Sequence, residues 1–372
     1  MELKEAVEGR THIFVPEQDE KSAFPPGTAP VFYNQRMEIN RDGTVLLISV
    51  IRPSDYIDAM GATGIRGLRI ANECGIPVTI NDRNPHAFEI ILKNARSLGL
   101  DNIRVTGEDA NVLLSGNRFD AVDIDPFGTP APFVDSAVRA SKRFLFITAT
   151  DTAPLCGAHK KAGIRRYFLH PLNTEYHAEV GLRTLLGFTA RETVKYDMGL
   201  VPLFCFSHEH FVRLHLKMVR GARAADRTVA SMGYIMQCPG CPYRRDVGGL
   251  IPEEYHCEYC GSTLIPVGPL WIDGLQSPEI LDSMLGNLSL FTFTHPDELA
   301  GIITLCRDEL QVPGFYDYHQ LAKREHCSPI PLETLLTSLH EEGYPATRCH
   351  YLGTGIKTTA PLPLILSIIR GD

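Results

Sequence analysis

The sequence contains no run of eighteen apolar residues, and its opening MELKEAVEGR lacks the apolar segment of a secretory leader. The expectation is a cytoplasmic chain without a membrane partner. Ten cysteines among 372 residues are too dilute for a disulfide scaffold. Internal repeats and low-complexity tracts are missing as well. What is present is an ordinary globular composition, 44% hydrophobic and 22% charged, at a length that favours two domains over one core. Nothing in the pattern calls for an obligate protein partner.

A net charge of −8 argues against a large nucleic-acid surface, but local counts run the other way. Between Arg139 and Arg166 seven Lys/Arg stand against one acid, Asp151; between Phe211 and Arg245 seven stand against Asp226. Screening confines a field to ~8–10 Å, so such patches can attract phosphates on an acidic protein, or can simply be solvated faces.

From Tyr56 to Asp151 short apolar runs alternate with amphipathic stretches. YIDAM (56–60), VTINDR (78–83), IRVTGED, FDAVDIDP and RFLFITATD read as strands, each ending in or near an acid. GIRGLRIANEC (64–74) and HAFEIILKNARSLGL (86–100) read as helices with apolar spacing near 3.6. The alternation implies an α/β, Rossmann-like, doubly wound parallel sheet with ligands at the carboxyl ends of its strands. FVRLHLKMV (211–219) alternates strictly and predicts a half-buried strand, Arg213, His215 and Lys217 facing one way. With LVPLFCFS before it, it suggests an antiparallel hairpin closing the sheet. RGARAADRT (220–228) reads as a linker, which divides a catalytic domain, 1–219, from a smaller α+β domain, 220–372.

DAMGATGIRGLR (58–69) follows a strand and opens a helix, with glycines at 61, 64 and 67. Glycines permit a tight turn and a close ligand approach. The spacing is G-x-x-G-x-x-G, not the G-x-G-x-x-G of dinucleotide sites. Asp58 ends the first strand and Asp82 the second, where a carboxylate can accept from a ribose diol. Glu108 and Asp109 end the third, beside the expected adenine, with Ala110 offering a small side chain and a free N–H. Each acid taken singly is as readily a helix N-cap. The series suits a nucleoside without phosphate, and S-adenosylmethionine, whose sulfonium is cationic, fits it better than a dinucleotide.

The fourth strand runs into DIDPFGTP (123–130). An acid–proline–aromatic segment facing a methyl donor resembles the D/N-P-P-Y/F loop of enzymes that methylate exocyclic amines of bases. Such an amine is a poor nucleophile, its lone pair delocalised into the ring. Asp125 and the Pro126 carbonyl can hold its two protons in fixed directions and aim the lone pair at the methyl carbon. Phe127 offers a stacking face to a base turned out of its helix. The alternative is a hydrogen-bonded turn with Phe127 in the core.

DIDPFG, together with VFYNQRMEINRD and GYPATRCHYLGTGIKTTAP, resembles the archaeal/eukaryal tRNA (guanine-N2)-dimethyltransferases over nearly the whole chain. The resemblance implies tRNA as partner and transfer of two methyls to N2 of guanine at position 26. It places Asp125 on the amine, and Phe32 with Phe127 on the guanine. It puts Arg41 and Arg66 in the cofactor site, with Arg36 a further candidate. Gln35 stands where the family usually has Pro, and Met60-Gly61 where it has Leu-Ser.

The segment 236–265 carries Cys238, Cys241, Cys257 and Cys260 in C-x2-C-x15-C-x2-C spacing. Two paired knuckles of thiolates predict a structural Zn2+ ribbon, since a redox dithiol needs one pair. Arg244 and Arg245 lie between the pairs, where a ribbon would hold them against RNA. Near the end, CHYLGTGIKTTAP sets His350, Tyr351 and Lys357 either to grip backbone phosphates or in a packed terminal hairpin. Competing readings are a methyltransferase of ribosomal RNA guanine or DNA adenine, and a non-catalytic zinc-ribbon RNA binder. An NAD-dependent oxidoreductase is disfavoured, because no hydride-site His or Tyr is evident.

Overall fold

A computed structural model describes residues 2–17 and 31–371. The chain opens with a hairpin for which the sequence reading has no counterpart, β1 (Leu3–Glu8) and β2 (Thr11–Pro16). α1 (Glu38–Ile51) follows, buried from Glu38 to Ile48, polar side chains included. Strand and helix then alternate: β3 (Tyr56–Asp58), α2 (Ile65–Cys74), β4 (Val78–Asn81), α3 (Pro85–Leu98), β5 (Ile103–Thr106), α4 (Ala110–Gly116), β6 (Phe119–Ile124), α5 (Val134–Ala140) and β7 (Ser141–Ala149). Helix starts have local causes. Asn84 accepts from the His86 N–H ahead of α3, with Pro85 in the first turn, and Asp109 caps α4.

α6 (Thr152–Leu155), α7 (Lys160–Tyr167) and α8 (His177–Val194) lead to β8 (Met198–His208) and β9 (Phe211–Arg220). These strands complete a seven-stranded sheet of order β5-β4-β3-β6-β7-β9-β8. The β3–β7 neighbours are parallel, and Glu209 and His210 alone connect β8 to β9, the closing hairpin expected from sequence. The chain reverses direction across the sheet between β3 and β6, which places a crevice at their carboxyl ends. The half-buried reading of β9 is corrected. Arg213 and His215 are as buried as Val212 and Leu214, and Lys217 alone of the polar trio is exposed. An interior strand is covered on both faces, and His215 meets the Thr44 hydroxyl at 3.1 Å.

The presumed linker 220–228 is also corrected: it forms α9 (Ala222–Ala230). Ala224, Ala225 and Thr228 make its buried stripe, small enough to lie on Gly199 of β8, where a Cβ would come 2.2 Å from the Ala224 carbonyl. β10 (Met232–Gln237), β11 (Arg244–Gly248) and β12 (Ile265–Trp271) form a sheet of order β11-β10-β12. α10 (Pro278–Asn287) and α11 (Pro296–Asp308) precede β13 (Tyr316–Asp317), α12 (Tyr318–Arg324), α13 (Leu332–Glu341), β14 (Ala346–Arg348), β15 (Gly355–Thr358) and α14 (Leu362–Arg370).

Two compact units interleave along the chain. Of the described residues, one takes those up to Thr148, His215–Met218 and Glu279–Ile303; the other takes Ala149–Leu214, Val219–Pro278 and those from Thr304 on. No helix among the described residues is long and apolar enough to cross a membrane.

Candidate active site

The parallel register brings strand ends level. Asp58 of β3 pairs with Asp123 of β6 on one side and with Ile80 of β4 on the other. Arg66, in the first turn of α2 and 4% exposed, enters this acidic end. Its Nη2 makes an ion pair with Asp125, its Nη1 donates to Asn40 Oδ1 at 2.9 Å and Thr44 Oγ1 at 3.0 Å, and its Nε lies 3.8 Å from Asp123. The Tyr56 hydroxyl donates to Asp123 at 2.5 Å. Asp123 and Asp125 therefore share one guanidinium, whose charge also reaches Asp58. Burial pushes Asp58 up to about 7, Asp123 and Asp125 adding to the rise and Arg66 opposing it.

Asp58 accepts the Gly67 N–H at 3.2 Å, so the amino end of α2 already carries its own carboxylate. A pyrophosphate there would meet like charge, whereas a sulfonium would meet opposite charge. That donor set fits S-adenosylmethionine. The glycines serve packing more than ligand approach. A Cβ at Gly61 or Gly67 would come within 2.6 or 2.7 Å of Ile80, and Gly64 supplies the left-handed turn, φ +83, that starts α2.

Asp82 holds that turn from below: the Ala62 N–H donates to its Oδ2 at 2.9 Å and the Asn84 N–H to its Oδ1 at 2.8 Å. Asp109 is the N-cap of α4, accepting the Asn111 N–H at 2.9 Å, with Ala110 buried after it and Arg83 at 3.6 Å. Glu108 is exposed. Sequence reasoning passed over Asn81, which is 1% exposed and ties three strand ends together. It donates to the Ala59 and Glu108 carbonyls at 3.1 and 3.0 Å and accepts from Thr106 Oγ1 and the Glu108 N–H, both at 2.9 Å. Its one visible signal is an amide before the acid in INDR.

Asp125 keeps a 21% exposed carboxylate, with Pro126 buried behind it and Gly128 turning the chain at φ +94. Phe127 is 72% exposed, not core. Phe32 meets it edge-on, ring centroids 5.5 Å apart at 75°. Phe32 thus braces the ring on one side and leaves the rest of it in solvent.

The other two expected arginines lie on α1 and the turn before it. Arg41 commits Nε and Nη2 to Glu8 of β1 at 2.8 and 2.5 Å, and Nη2 to the Asn34 carbonyl at 3.0 Å. Arg36 sits exposed on a short 3-10 turn, its N–H bonded to Asn34 Oδ1 at 2.9 Å. Arg41 belongs to a buried charge cluster that the sequence did not announce. Arg69 meets Asp42 at 2.5 Å, Glu73 at 3.0 Å and Glu8 at 3.6 Å, and the Tyr33 hydroxyl donates to Glu8 at 2.9 Å. Burial drives Asp42 up to about 6; it would raise Glu8 too, but Arg41 and Arg69 hold Glu8 below its ordinary range.

In the second unit, Cys238, Cys241, Cys257 and Cys260 bring their four sulfurs within 4.8 Å of one another, a set that could hold one zinc ion. Arg244 does not face outward. It lies 3.8 Å over the Tyr316 ring and 3.4 Å from Glu175, 6% exposed. Arg245 stays half-exposed, 3.8 Å from Glu258.

The phosphate-gripping alternative for the C-terminal turn is overturned, and the packed hairpin, β14 with β15, stands. Lys357 is 1% exposed, donating to Glu179 at 3.0 Å and the Val312 carbonyl at 3.1 Å. Arg183 and the Gly314 N–H join the same Glu179 oxygen at 2.8 and 3.0 Å. The His350 Nδ1 donates to Glu309 at 2.9 Å while its Nε2 accepts the Ser207 N–H at 3.3 Å. Burial alone would raise Glu179, yet Lys357 and Arg183 bring it down to about 2.

Residues 9–370 match the family described as N2,N2-dimethylguanosine tRNA methyltransferase. The chain is 57% identical to the tRNA (guanine(26)-N(2))-dimethyltransferase of Methanoregula boonei over 100% of its own length and 99% of that protein's. It is 56% identical to the protein of the same name from Methanoculleus marisnigri, with both chains fully covered. Its fold resembles the solved structure of Trm1 from Pyrococcus horikoshii with S-adenosyl-L-methionine, TM-score 0.90 at 34% identity, covering 99% of this chain and 100% of that one.

Proposed function

Because this chain belongs to the N2,N2-dimethylguanosine tRNA methyltransferase family, we propose that it transfers two methyl groups from S-adenosylmethionine to N2 of guanine 26 in tRNA. The carrying observation is Asp125, held by Arg66 beside the exposed face of Phe127. Asp58, Asp82, Asp109 and Ala110 would hold the donor, a reading their placement along the carboxyl ends of β3, β4 and β5 supports. The donor, when bound, supplies an electrophilic methyl on a positively charged sulfur.

Guanine N2 is a weak nucleophile until its lone pair leaves conjugation. Arg66 occupies Oδ2 of Asp125, so Oδ1 is the oxygen to accept an N–H of the amine. The Pro126 carbonyl accepts the other. Two fixed acceptors pyramidalise the nitrogen and orient its lone pair for in-line attack. As the new N–C bond forms, the electron pair of the C–S bond returns to sulfur. The methylated nitrogen, now acidic, releases its proton to Asp125 or water. Phe127, with Phe32 behind it, stacks the turned-out base. In the second round one N–H is replaced by methyl, and Asp125 and the Pro126 carbonyl exchange roles. The chain from 220 on, with its cysteine ribbon at 236–265, serves tRNA binding.

The test is to incubate the full chain with labelled S-adenosylmethionine and a tRNA transcript, then digest to nucleosides. Dimethylguanosine is expected, and is lost when guanine 26 is replaced. An Asp125→Asn variant sampled over time separates the two rounds; two methylations at the normal rate would end the assignment of Asp125.

A further inference from the structure

α7 is pinned on one side and bare on the other. Tyr167 is fully buried, packed edge-on to Phe188 at 5.4 Å. Gly163 lies so close to α6 that a Cβ would sit 2.6 Å from the Pro154 carbonyl. Arg166 is tied to Asp151. The opposite side carries Lys160, Lys161, Ile164 and Arg165, all exposed, within an arc of about 140° at about 100° per residue. No side-chain partner among the described residues engages Lys160, Lys161 or Arg165. From Asp151 to Glu175 the sequence has no intervening acid, so their own segment supplies none to neutralise the three.

Phe168 ends this helix in an unusual way. Its φ of +49 and ψ of +50 are left-handed, the conformation that glycine ordinarily takes at a helix end, and its N–H closes on the Ile164 carbonyl at 3.0 Å. The ring is then 73% exposed, with Ile164 48% exposed one turn before it. A bulky aromatic is thus held in a disfavoured backbone geometry with most of its ring in solvent, where packing gains little from it.

We propose that this face, Lys160, Lys161, Ile164, Arg165 and Phe168, is a tRNA-docking surface, its cations on backbone phosphates and Phe168 under an unstacked base. The inference rests on the proposed tRNA activity and adds where the substrate is gripped. Charge complementarity selects the occupant: three unpaired cations around an exposed ring combine the two terms by which single-stranded or looped RNA is held. A rigid helix also presents them with little ordering left to occur on binding.

The experiment measures binding of a tRNA transcript to the full chain by fluorescence anisotropy over a salt series, beside S-adenosylmethionine affinity and thermal unfolding. Replacing Lys160, Lys161 and Arg165 together by Gln should flatten the slope of log affinity against log salt by roughly 2–3, at ~0.7–0.9 per lost phosphate contact. Phe168→Gly should weaken tRNA binding about tenfold with the slope unchanged, while the melting temperature holds or rises because the left-handed strain is relieved. Donor affinity should stay at the wild-type value in both. If wild type methylates tRNA and both variants bind it with wild-type affinity and slope, the surface belongs to some other partner, such as an acidic protein, and the proposal is overturned. A melting temperature that falls in Phe168→Gly would assign the ring to packing and likewise overturn its role. If wild type itself neither binds nor methylates tRNA, the functional reading fails first, and this one with it.

Discussion

Arg66 grips the carboxylate of Asp125 with one amino group while Asn40, at 2.9 Å, and Thr44, at 3.0 Å, fix the other. The residue expected to orient the substrate amine is thus itself oriented from the interior, through α1 and α2. Lysine carries the charge but cannot span both sets of partners. Arg66→Lys should therefore leave tRNA affinity within about twofold and slow methyl transfer on the order of 100-fold, the scale of a misplaced reacting group. Single-turnover rates at saturating tRNA measure it.

Phe127 is 72% exposed, so its side chain contributes little to folding. Phe127→Ala should leave the melting temperature within about a degree, since exposed truncations away from special features are near neutral. It should lower kcat/KM about 10- to 100-fold through lost stacking of ~1–3 kcal/mol. A drop in stability with normal kinetics would place the ring in the core after all.

What was legible in the sequence was whatever period and end chemistry encode. Parallel strands, the closing hairpin, Asp82 at a strand end and the four cysteines followed from alternation, apolar runs and spacing. The failures have a shared cause: sequence shows the charge of a residue but not its partner. Lys357 and Arg244 looked like phosphate ligands because their cations are visible, while Glu179 and Glu175, which hold them, lie 178 and 69 residues away. Asn81 was missed because one amide in a strand is unremarkable until three strand ends converge on it. The stretch 220–228 looked like a linker because its arginines mask the small-residue stripe Ala224, Ala225 and Thr228.

Asp58 gives a pH signature. Its folded pKa, about 7, lies above the ordinary 3.8, so the folded protein holds this proton more tightly than the unfolded chain. The resulting stability is fully present below about pH 4 and is lost as pH rises towards 7. Asp58→Asn keeps an acceptor for the Gly67 N–H and removes the ionisation. Its melting temperature should gain on wild type between pH 4 and 7 and gain no more above. A constant offset across the range would contradict the buried, raised carboxyl.

The cysteine cluster predicts about one equivalent of zinc, released by a mercurial and read with a chromophoric chelator. Cys257→Ser, at a buried position, should carry none. Without the metal the four sulfurs are left as thiols with no shared ligand to join them, and the short ribbon has little core of its own. Chelation should therefore expose the β10–β12 ribbon to protease. A metal-free protein with wild-type protection would show that Cys238, Cys241, Cys257 and Cys260 are only near neighbours.

Lys357 tests the buried ion cluster of the second unit. Its ammonium lies 3.0 Å from Glu179 and 3.7 Å from Glu309, all three at most 3% exposed. Lys357→Met removes the cation and leaves the two carboxylates with Arg183 and His350 as their remaining partners. Breaking such a pair from one side costs about 3–5 kcal/mol, because the remaining charge is stranded away from water. Urea unfolding at pH 7 should show that loss. In wild type Glu179 is held near 2, so its contribution is present above its ordinary value, 4.5, and disappears only as pH falls through about 2. Without Lys357 that pKa rises, and the deficit should shrink as the medium is acidified. Adding Glu179→Gln to Lys357→Met should recover part of the loss at pH 7, a coupling that two independent packing defects would not show.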